Sequence, residues 1–253
     1  MKKALAAGIF ILTLGLAVAF SAQQPTQQQA PAPAHELYRI HFFKAAPGKL
    51  ADLIDAYKNA PVPDNMTPRP MVFRHQSGDD WDLVVIYPLG AKASMDANAP
   101  APPEAIRKFK ERVMSDYAWH SDTYASGPPL EVVTKALAVP PNAAQAGNPG
   151  GLYLIEEDVA LAGHHDELGK FLDRDMAADR ARGSVKFEHV QGAPWDFLVI
   201  FRYASWYEHA AAETDPGADD DARKQGFADA AAIGLEFRTH ISAHHDTFAS
   251  RIQ

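Results

Sequence analysis

Histidine and aspartate recur at matched positions in two parts of this 253-residue chain. The segment FRHQSGDDWDLVVIY, residues 73–87, aligns with FEHVQGAPWDFLVIF, residues 187–201, and seven of the fifteen positions are identical. In the first copy, His75 should face either Trp81 or Asp82 across a short turn, depending on the strand register, and the second case would give a His–Asp pair. Such a pair suits a general base, with the tryptophan as a cavity wall, but it also suits a purely structural pin for the hairpin. The second copy contributes His189, Trp195 and Asp196.

A second His–Asp pattern occurs near the end of each copy, where WHSDTYAS, residues 119–126, matches AHHDTFAS, residues 243–250. His120 continues an apolar stripe of helical spacing, so the pattern predicts an inward imidazole. An inward imidazole needs a hydrogen-bond partner or stays uncharged, and Asp122 is two residues away. A satisfied core histidine is the alternative to a catalytic one. The equivalent candidates of the second copy are His244 and Asp246, and Tyr124 and Phe248 are candidate ligand-contacting rings.

His41 is a further candidate for contact with a ligand, because it aligns with Glu156 and the two copies therefore differ there. Arg39 and Arg74 could bind an anionic group, although ion pairs with the many acidic residues are the alternative. No metal site is predicted, since zinc needs three or four ligands and no such signature is present. The sequence identifies no cofactor. It also lacks a dinucleotide-binding glycine fingerprint, a G-x-S-x-G elbow and any cysteine.

The elements that would position these residues are also duplicated. LYRIHFF, residues 37–43, matches LYLIEED, residues 152–158, so three blocks recur in the same order. Each copy reads as a strand, an amphipathic helix, a β-hairpin and a second helix. Residues 130–137 could close the first copy with a strand, whereas the second copy shows no equivalent. This order predicts an α+β fold of two tandem ferredoxin-like β-α-β-β-α(-β) repeats whose uncovered sheet faces pack together around an apolar cavity.

The duplicated arrangement resembles the dimeric α/β-barrel superfamily, which includes antibiotic-biosynthesis-type monooxygenases and the EthD-like and NIPSNAP-like proteins. Here two fused halves would imitate the dimer, from Glu36 to the C-terminus. The resemblance implies a cavity between sheet and helices, used in the superfamily for oxygenation, decarboxylation, haem chemistry or simple binding. It carries no catalytic residue over to this chain, because no family motif matches residue by residue.

The ends and charge of the chain limit its compartment and partners. Residues 1–22 have the pattern of a cleaved signal peptide, which predicts a periplasmic or secreted protein without stable membrane insertion. We expect a disordered linker at 23–35, the first repeat at 36–137, a second linker at 138–150 and the second repeat at 151–253. The chain has 24 basic and 32 acidic residues, a net charge of −8, which argues against nucleic acid as a partner.

Three functions remain open from the sequence. The chain could be an enzyme for a small hydrophobic or aromatic molecule, with cofactor-free oxygenase, lyase or isomerase-type chemistry. It could instead be a non-catalytic module that binds a ligand or haem. The third hypothesis is a structural pseudo-dimer scaffold. Oligomeric state is not predicted.

Overall fold

The computed structural model describes residues 35–61, 69–91, 103–178 and 182–253, so the expected signal peptide lies outside the described residues. The first repeat contains β1 (Glu36–Ala45), α1 (Leu50–Lys58), β2 (Met71–Ser77), β3 (Leu83–Ala91), α2 (Glu104–Met114), β4 (Tyr117–Gly127) and α3 (Leu130–Ala136). The second contains β5 (Leu152–Ala160), α4 (His165–Ala178), β6 (Ser184–Gln191), β7 (Phe197–Tyr203), α5 (Trp206–Glu213), α6 (Ala218–Lys224), α7 (Ala230–Arg238) and β8 (Ile241–Arg251). The strand–helix–hairpin–helix order predicted for each repeat is confirmed, and the second repeat has two additional helices, α5 and α6, between its hairpin and α7.

The strands form one closed antiparallel barrel in the order β1-β3-β2-β8-β5-β7-β6-β4. Within each repeat the order is that of a ferredoxin-like sheet, β2-β3-β1-β4 and β6-β7-β5-β8. The repeats join where β2 pairs with β8 and β4 pairs with β6. Closure leaves neither sheet with a free edge, so each repeat supplies the edge partners that the other needs.

Alternation along the strands separates an inner face from an outer face. Residues such as Tyr38, Ile40 and Phe42 of β1 point into the barrel, whereas Phe43 belongs to a separate cluster beneath α1 and α2. A third cluster lies between the sheet of the second repeat and α4 and α7. Each sheet is therefore packed against the opposite sheet on its inner face and against its own helices over part of its outer face.

Buried side chains pack together in the interior of the barrel, where the sequence predicts an apolar cavity. Its buried rings are Tyr38, Phe42, Phe73, Trp81, Tyr153, Phe187 and Trp195. Edge-to-face contacts connect them, as between Tyr38 and Phe187, whose ring centroids are 5.0 Å apart. This dense aromatic packing stabilises the joint between the repeats and leaves the outer faces as the place for a ligand.

The hairpin glycines are required because each hairpin crosses a strand of the other repeat. Gly78 has φ +129°, and a Cβ there would collide with the backbone of Asp246 and Thr247. Gly192 has φ +126° and makes the same approach to the backbone of Asp122. Only glycine combines this backbone conformation with this lack of space, which explains its recurrence in both copies.

The closing strands differ from the sequence-based expectation. Residues 130–136 form helix α3, and the sheet of the first repeat is closed by β4 instead. β8 closes the second repeat in the same way. The expected second linker packs on the barrel, since Ala143 is fully buried and the carbonyl of Ala138 accepts a hydrogen bond from Arg202 Nη1 at 3.0 Å. None of the helices in the described part of the chain is long and apolar enough to span a membrane.

Candidate functional site

The repeated hairpin histidines lie on the inner face and contact tryptophan rather than aspartate side chains. The ring centroids of His75 and Trp81 are 5.6 Å apart, and those of His189 and Trp195 are 5.7 Å apart, both edge to face. Trp81 and Trp195 belong to the packed core of the barrel. These four residues pack together in two His–Trp pairs at the ends of the hairpins.

The two hairpin aspartates anchor strand ends. The carboxylate of Asp82 accepts a hydrogen bond of 2.8 Å from the backbone N–H of Ala45. That of Asp196 accepts one of 2.8 Å from the backbone N–H of Ala160. The expected hydrogen bonds between the His and Asp side chains are therefore wrong. Each aspartate side chain binds the end of β1 or β5, and the hydrogen bond between the histidine and the aspartate joins their backbone groups.

His120 and His244 lie on strands, not at the ends of helices, because α2 ends at Met114 and α7 at Arg238. Both side chains project from the outer face, whereas His75 and His189 project inward. A single site that unites His75 with His120 is therefore wrong, since the sheet separates them.

The outer face of the first repeat brings His41, His120 and Asp122 together. In the pairing of β1 with β4, His41 lies opposite Asp122, and Phe43 lies opposite His120. His41 Nδ1 is 3.6 Å from Asp122 Oδ1, and His120 Nδ1 is 3.3 Å from Asp122 Oδ2. The ring centroids of the two histidines are 5.1 Å apart. We name these three residues the first-repeat cluster.

The first-repeat cluster combines a buried base with an open side. The side chain of His41 is 10% exposed, whereas those of His120 and Asp122 are 42% and 37% exposed. Burial lowers the pKa of His41 to about 4, against the opposing effect of the Asp122 carboxylate, so the imidazole is neutral. Its Nε2 atom is buried and has no hydrogen-bond partner within the described ranges.

Aromatic rings and cations surround the first-repeat cluster. His41 contacts the rings of Phe43 and Tyr117, with centroid distances of 5.2 Å and 5.6 Å. Arg39 Nε is 3.5 Å from Asp122 Oδ1, and the Arg39 guanidinium lies over the ring of Tyr87, 4.6 Å from its centroid. Burial lowers the pKa of Lys110 on α2, and the charge of Arg39 lowers it further. The site is thus apolar in its walls and positively charged on one side.

The matching outer face of the second repeat holds a closed ion-pair network. His244 donates from Nδ1 to Asp158 Oδ1 at 2.8 Å and from Nε2 to Asp246 Oδ1 at 2.9 Å. These hydrogen bonds raise the pKa of His244 to about 10, so both of its nitrogens carry protons. Burial and the neighbouring Asp158 raise the pKa of Glu156, which stands where the first repeat has His41.

The two predicted ligand-contacting rings have different surroundings. Phe248 packs against Trp206, with ring centroids 4.4 Å apart, and against the outer cluster of the second repeat. Tyr124 is half-buried on the outer side of β4, opposite Arg39 in the strand pairing. Tyr124 thus lies next to the first-repeat cluster, whereas Phe248 has the role of a packing residue.

Asp158 and Lys110 are site residues that sequence reasoning missed. The sequence places Asp158 on the first strand of the second repeat, but only the register of β5 with β8 sets it opposite His244. Lys110 lies on an exposed helical stripe, and its sequence neighbours give no sign that it faces β1. Asp158 aligns with Phe43 of the first repeat, and this change from an apolar to an acidic residue is the sequence feature that could have identified Asp158.

Comparison with protein-family models and with curated protein sequences finds no match. Solved structures do match. A proposed monooxygenase from Lactobacillus acidophilus NCFM superposes with a TM-score of 0.56 at 10% identity, covering 87% of this chain and 95% of that one. The chain has the dimeric α/β-barrel fold. An anthrone oxidase-like protein has this fold as well, with a TM-score of 0.53 at 14% identity and coverage of 87% and 92%.

A third structure with the dimeric α/β-barrel fold is a proposed monooxygenase from Fusobacterium nucleatum, with a TM-score of 0.52 at 9% identity over 87% of this chain and 94% of that one. The resemblance stated from the repeated sequence blocks is thereby confirmed at the level of fold. At these identities the comparison defines the barrel and not its chemistry, which must be argued from the side chains.

Proposed function

We propose that the first repeat binds a small aromatic molecule with an acidic O–H or C–H group at its outer face and promotes loss of that proton. The observation that carries this proposal is the buried His41 imidazole. Its Nε2 has no partner among the described residues, although it lies within a wall of aromatic rings. Burying a polar nitrogen without a partner has a cost in free energy, which a ligand that hydrogen-bonds to it would recover.

The charge around the first-repeat cluster favours an anion. Arg39 and Lys110 approach it from β1 and α2, and within the cluster Asp122 supplies the negative charge. A phenolate, carboxylate or enolate formed at this position would be stabilised by these cations, whose effect is enhanced by the surrounding apolar side chains. The substrate class is therefore an aromatic molecule that becomes negatively charged when it loses a proton.

The proton acceptors lie on the open side of the site. Asp122 and His120 are partly exposed, so a proton taken from a bound molecule can pass to solvent through them. This arrangement supports oxygenase-, lyase- or isomerase-type chemistry that begins with proton removal. In the second repeat the histidine cannot take up a proton in this way, because His244 is already protonated and held by two carboxylates.

Binding is tested with 1-hydroxy-2-naphthoate, which has an aromatic ring, a hydroxyl and a carboxylate. We expect isothermal titration calorimetry to show one site per chain, with affinity at least fivefold lower in Arg39→Gln and His120→Ala. Arg74→Gln is the matched control, since Arg74 is exposed and lies on β2 away from the first-repeat cluster. Equal affinity in all variants, or binding abolished equally by the control, would contradict the proposed site.

Turnover is tested with anthrone, a carbon acid suggested by the anthrone oxidase-like neighbour. Anthrone (C14H10O) and O2 give anthraquinone (C14H8O2) and H2O, with O2 as the oxidant, so oxygen consumption and quinone absorbance report the same reaction. We expect Asp122→Asn to slow it at least tenfold and Asp246→Asn to leave it unchanged. Naphthoate binding without turnover of anthrone would indicate a binding module, and the absence of both activities would indicate a scaffold.

A further inference from the structure

The three polar side chains of the first-repeat cluster meet the geometric requirement for a metal site. A nitrogen from each of His41 and His120 and a carboxylate oxygen of Asp122 all lie within 4.8 Å of one another. Metal–ligand bonds of about 2.1 Å place adjacent ligand atoms about 3.0–3.5 Å apart, by simple triangulation. The observed separations of 3.6 Å and 3.3 Å from Asp122 to the two imidazoles are close to this range.

We propose that His41, His120 and Asp122 bind one divalent transition-metal ion on the outer face of the first repeat. Two imidazoles and one carboxylate on one side of an ion are a donor set suited to iron, zinc, cobalt or nickel. The remaining coordination positions would face the open side of the site, where His120 and Asp122 are exposed. A water molecule or a substrate oxygen could occupy them.

The matching positions of the second repeat form hydrogen-bonded ion pairs rather than an open set of metal ligands. There the histidine and carboxylates are 2.8 Å and 2.9 Å apart, which are the distances of charge-assisted hydrogen bonds. In the first repeat the separations are longer, and His120 faces Phe43 where His244 faces Asp158. Phe43 cannot accept a hydrogen bond from His120, so His120 has one neighbouring carboxylate, that of Asp122 at 3.3 Å, where His244 has two. A nitrogen of His120 therefore remains available to a metal.

This inference rests on the proposed function in one respect: the metal ion and the aromatic ligand are assigned to the same site. A metal there would polarise an oxygen of the bound molecule, in addition to the effect of Arg39 and Lys110. The nearby positive charge of Arg39 weakens the binding of a bare cation, and an anionic ligand of the metal would offset it. We therefore expect metal affinity to increase when 1-hydroxy-2-naphthoate is present.

The test uses the untagged chain, treated with EDTA and dialysed, and titrated with Co2+. We expect one Co2+ per chain, with visible absorption bands that indicate imidazole ligands, and displacement by Zn2+. His120→Ala and Asp122→Asn should each lower Co2+ affinity at least tenfold. Both side chains are partly exposed, and circular dichroism of each variant establishes that it is folded.

Two control variants address binding elsewhere on the chain. Asp246→Asn alters the matching cluster of the second repeat, and His240→Ala breaks the His164–His240 contact, in which the Nδ1 atoms are 3.2 Å apart. Co2+ affinity should be unchanged in both. Loss of affinity in the controls but not in His120→Ala, or no stoichiometric binding in the wild type, would overturn the metal site.

The two proposals fail separately. If metal-free protein binds 1-hydroxy-2-naphthoate with full affinity and turns over anthrone at the full rate, while no Co2+ binds, the metal site is wrong and the proposed function stands. If Co2+ binds through His120 and Asp122 but neither organic probe is bound or converted, the metal site stands and the proposed function is wrong.

Discussion

His244 should make the stability of the fold depend on pH in the alkaline range. Its imidazolium is hydrogen-bonded to Asp158 and Asp246, and the carboxyl groups of Glu156 and Glu157 interact with this network. These contacts raise its pKa from 6.5 to about 10. Because the folded protein holds this proton more tightly than the unfolded chain, the stabilisation is complete below pH 6.5 and is lost as the pH rises through 10.

The magnitude follows from linkage. Each pH unit between the two pKa values lowers the free energy of unfolding by at most about 1.4 kcal/mol. Between pH 8 and 10, where the folded imidazole titrates, the total loss is at most about 2 kcal/mol. This window lies above the raised pKa of Glu157, about 7, so that carboxyl contributes little to the change.

The assay is urea denaturation, followed by far-UV circular dichroism, of the wild type and His244→Gln at pH 8, 9 and 10. We expect the stability advantage of the wild type to shrink by about 1–2 kcal/mol over this range. Repeating the pair in a Glu156→Gln background removes a neighbouring buried acid whose pKa is also raised. Parallel curves for wild type and His244→Gln in both backgrounds would show that the imidazole is not charged in the folded protein.

Three further predictions concern the joint between the repeats, and each is measured by urea denaturation at pH 7. Gly192→Ala should destabilise the fold by about 2 kcal/mol or more, because φ is +126° and the new Cβ meets the backbone of Asp122. Gly163→Ala is the control, since its Cβ has open space and it should cost only the strain of its φ of +85°. If the two substitutions cost the same, the close approach is not a constraint. Thr247→Val should cost about 1–3 kcal/mol, since it removes the acceptor of the Asp79 N–H at 3.1 Å; Thr247→Ser keeps that acceptor and should retain most of the stability. Trp195→Ala should cost about 3–5 kcal/mol as a cavity in the barrel core, and a loss below 1 kcal/mol would contradict a filled interior.

The repeat and the order of its elements could be predicted from the sequence because they depend on local patterns. Leu168, Phe171, Leu172 and Met176 have the spacing of one apolar helix face and fall within α4, and Gly78 falls in the turn between β2 and β3. Helix periodicity, strand alternation and turn glycines are short-range signals. Together they define a ferredoxin-like unit without any knowledge of which strands finally pair.

The last strand of each repeat was missed because its first residues imitate a helical stripe. Tyr117 follows Phe109 and Val113 at helical spacing, and it packs in the same outer cluster as they do. It does so from the start of β4, where an irregularity in the pairing with β1 sets Tyr117 opposite Ala45. A sequence pattern reports which side chains are buried together, but not whether the backbone between them has changed from helix to strand.

The site could be predicted only in part, because its members come from separate strands. His120 and Asp122 were recognised as a pair, and His41 was singled out by its difference from Glu156. Their convergence depends on the register that sets His41 opposite Asp122 across β1 and β4. Register between strands about eighty residues apart is fixed by the whole barrel, and no local pattern encodes it.

One position explains why two copies of the same strand pair differ in chemistry. Opposite the shared histidine of the last strand, the first repeat has Phe43 and the second has Asp158. The buried carboxylate of Asp158 binds the His244 imidazolium, and the ion pair with Asp246 then closes around it. Phe43 instead packs against Tyr57 and Tyr117 under the helices and leaves His120 with a single carboxylate at longer range. The outer clusters of the two repeats share no side chains, and the barrel core lies between them. One outer face can therefore hold a structural ion pair while the other holds an open site, although the barrel requires both sheets.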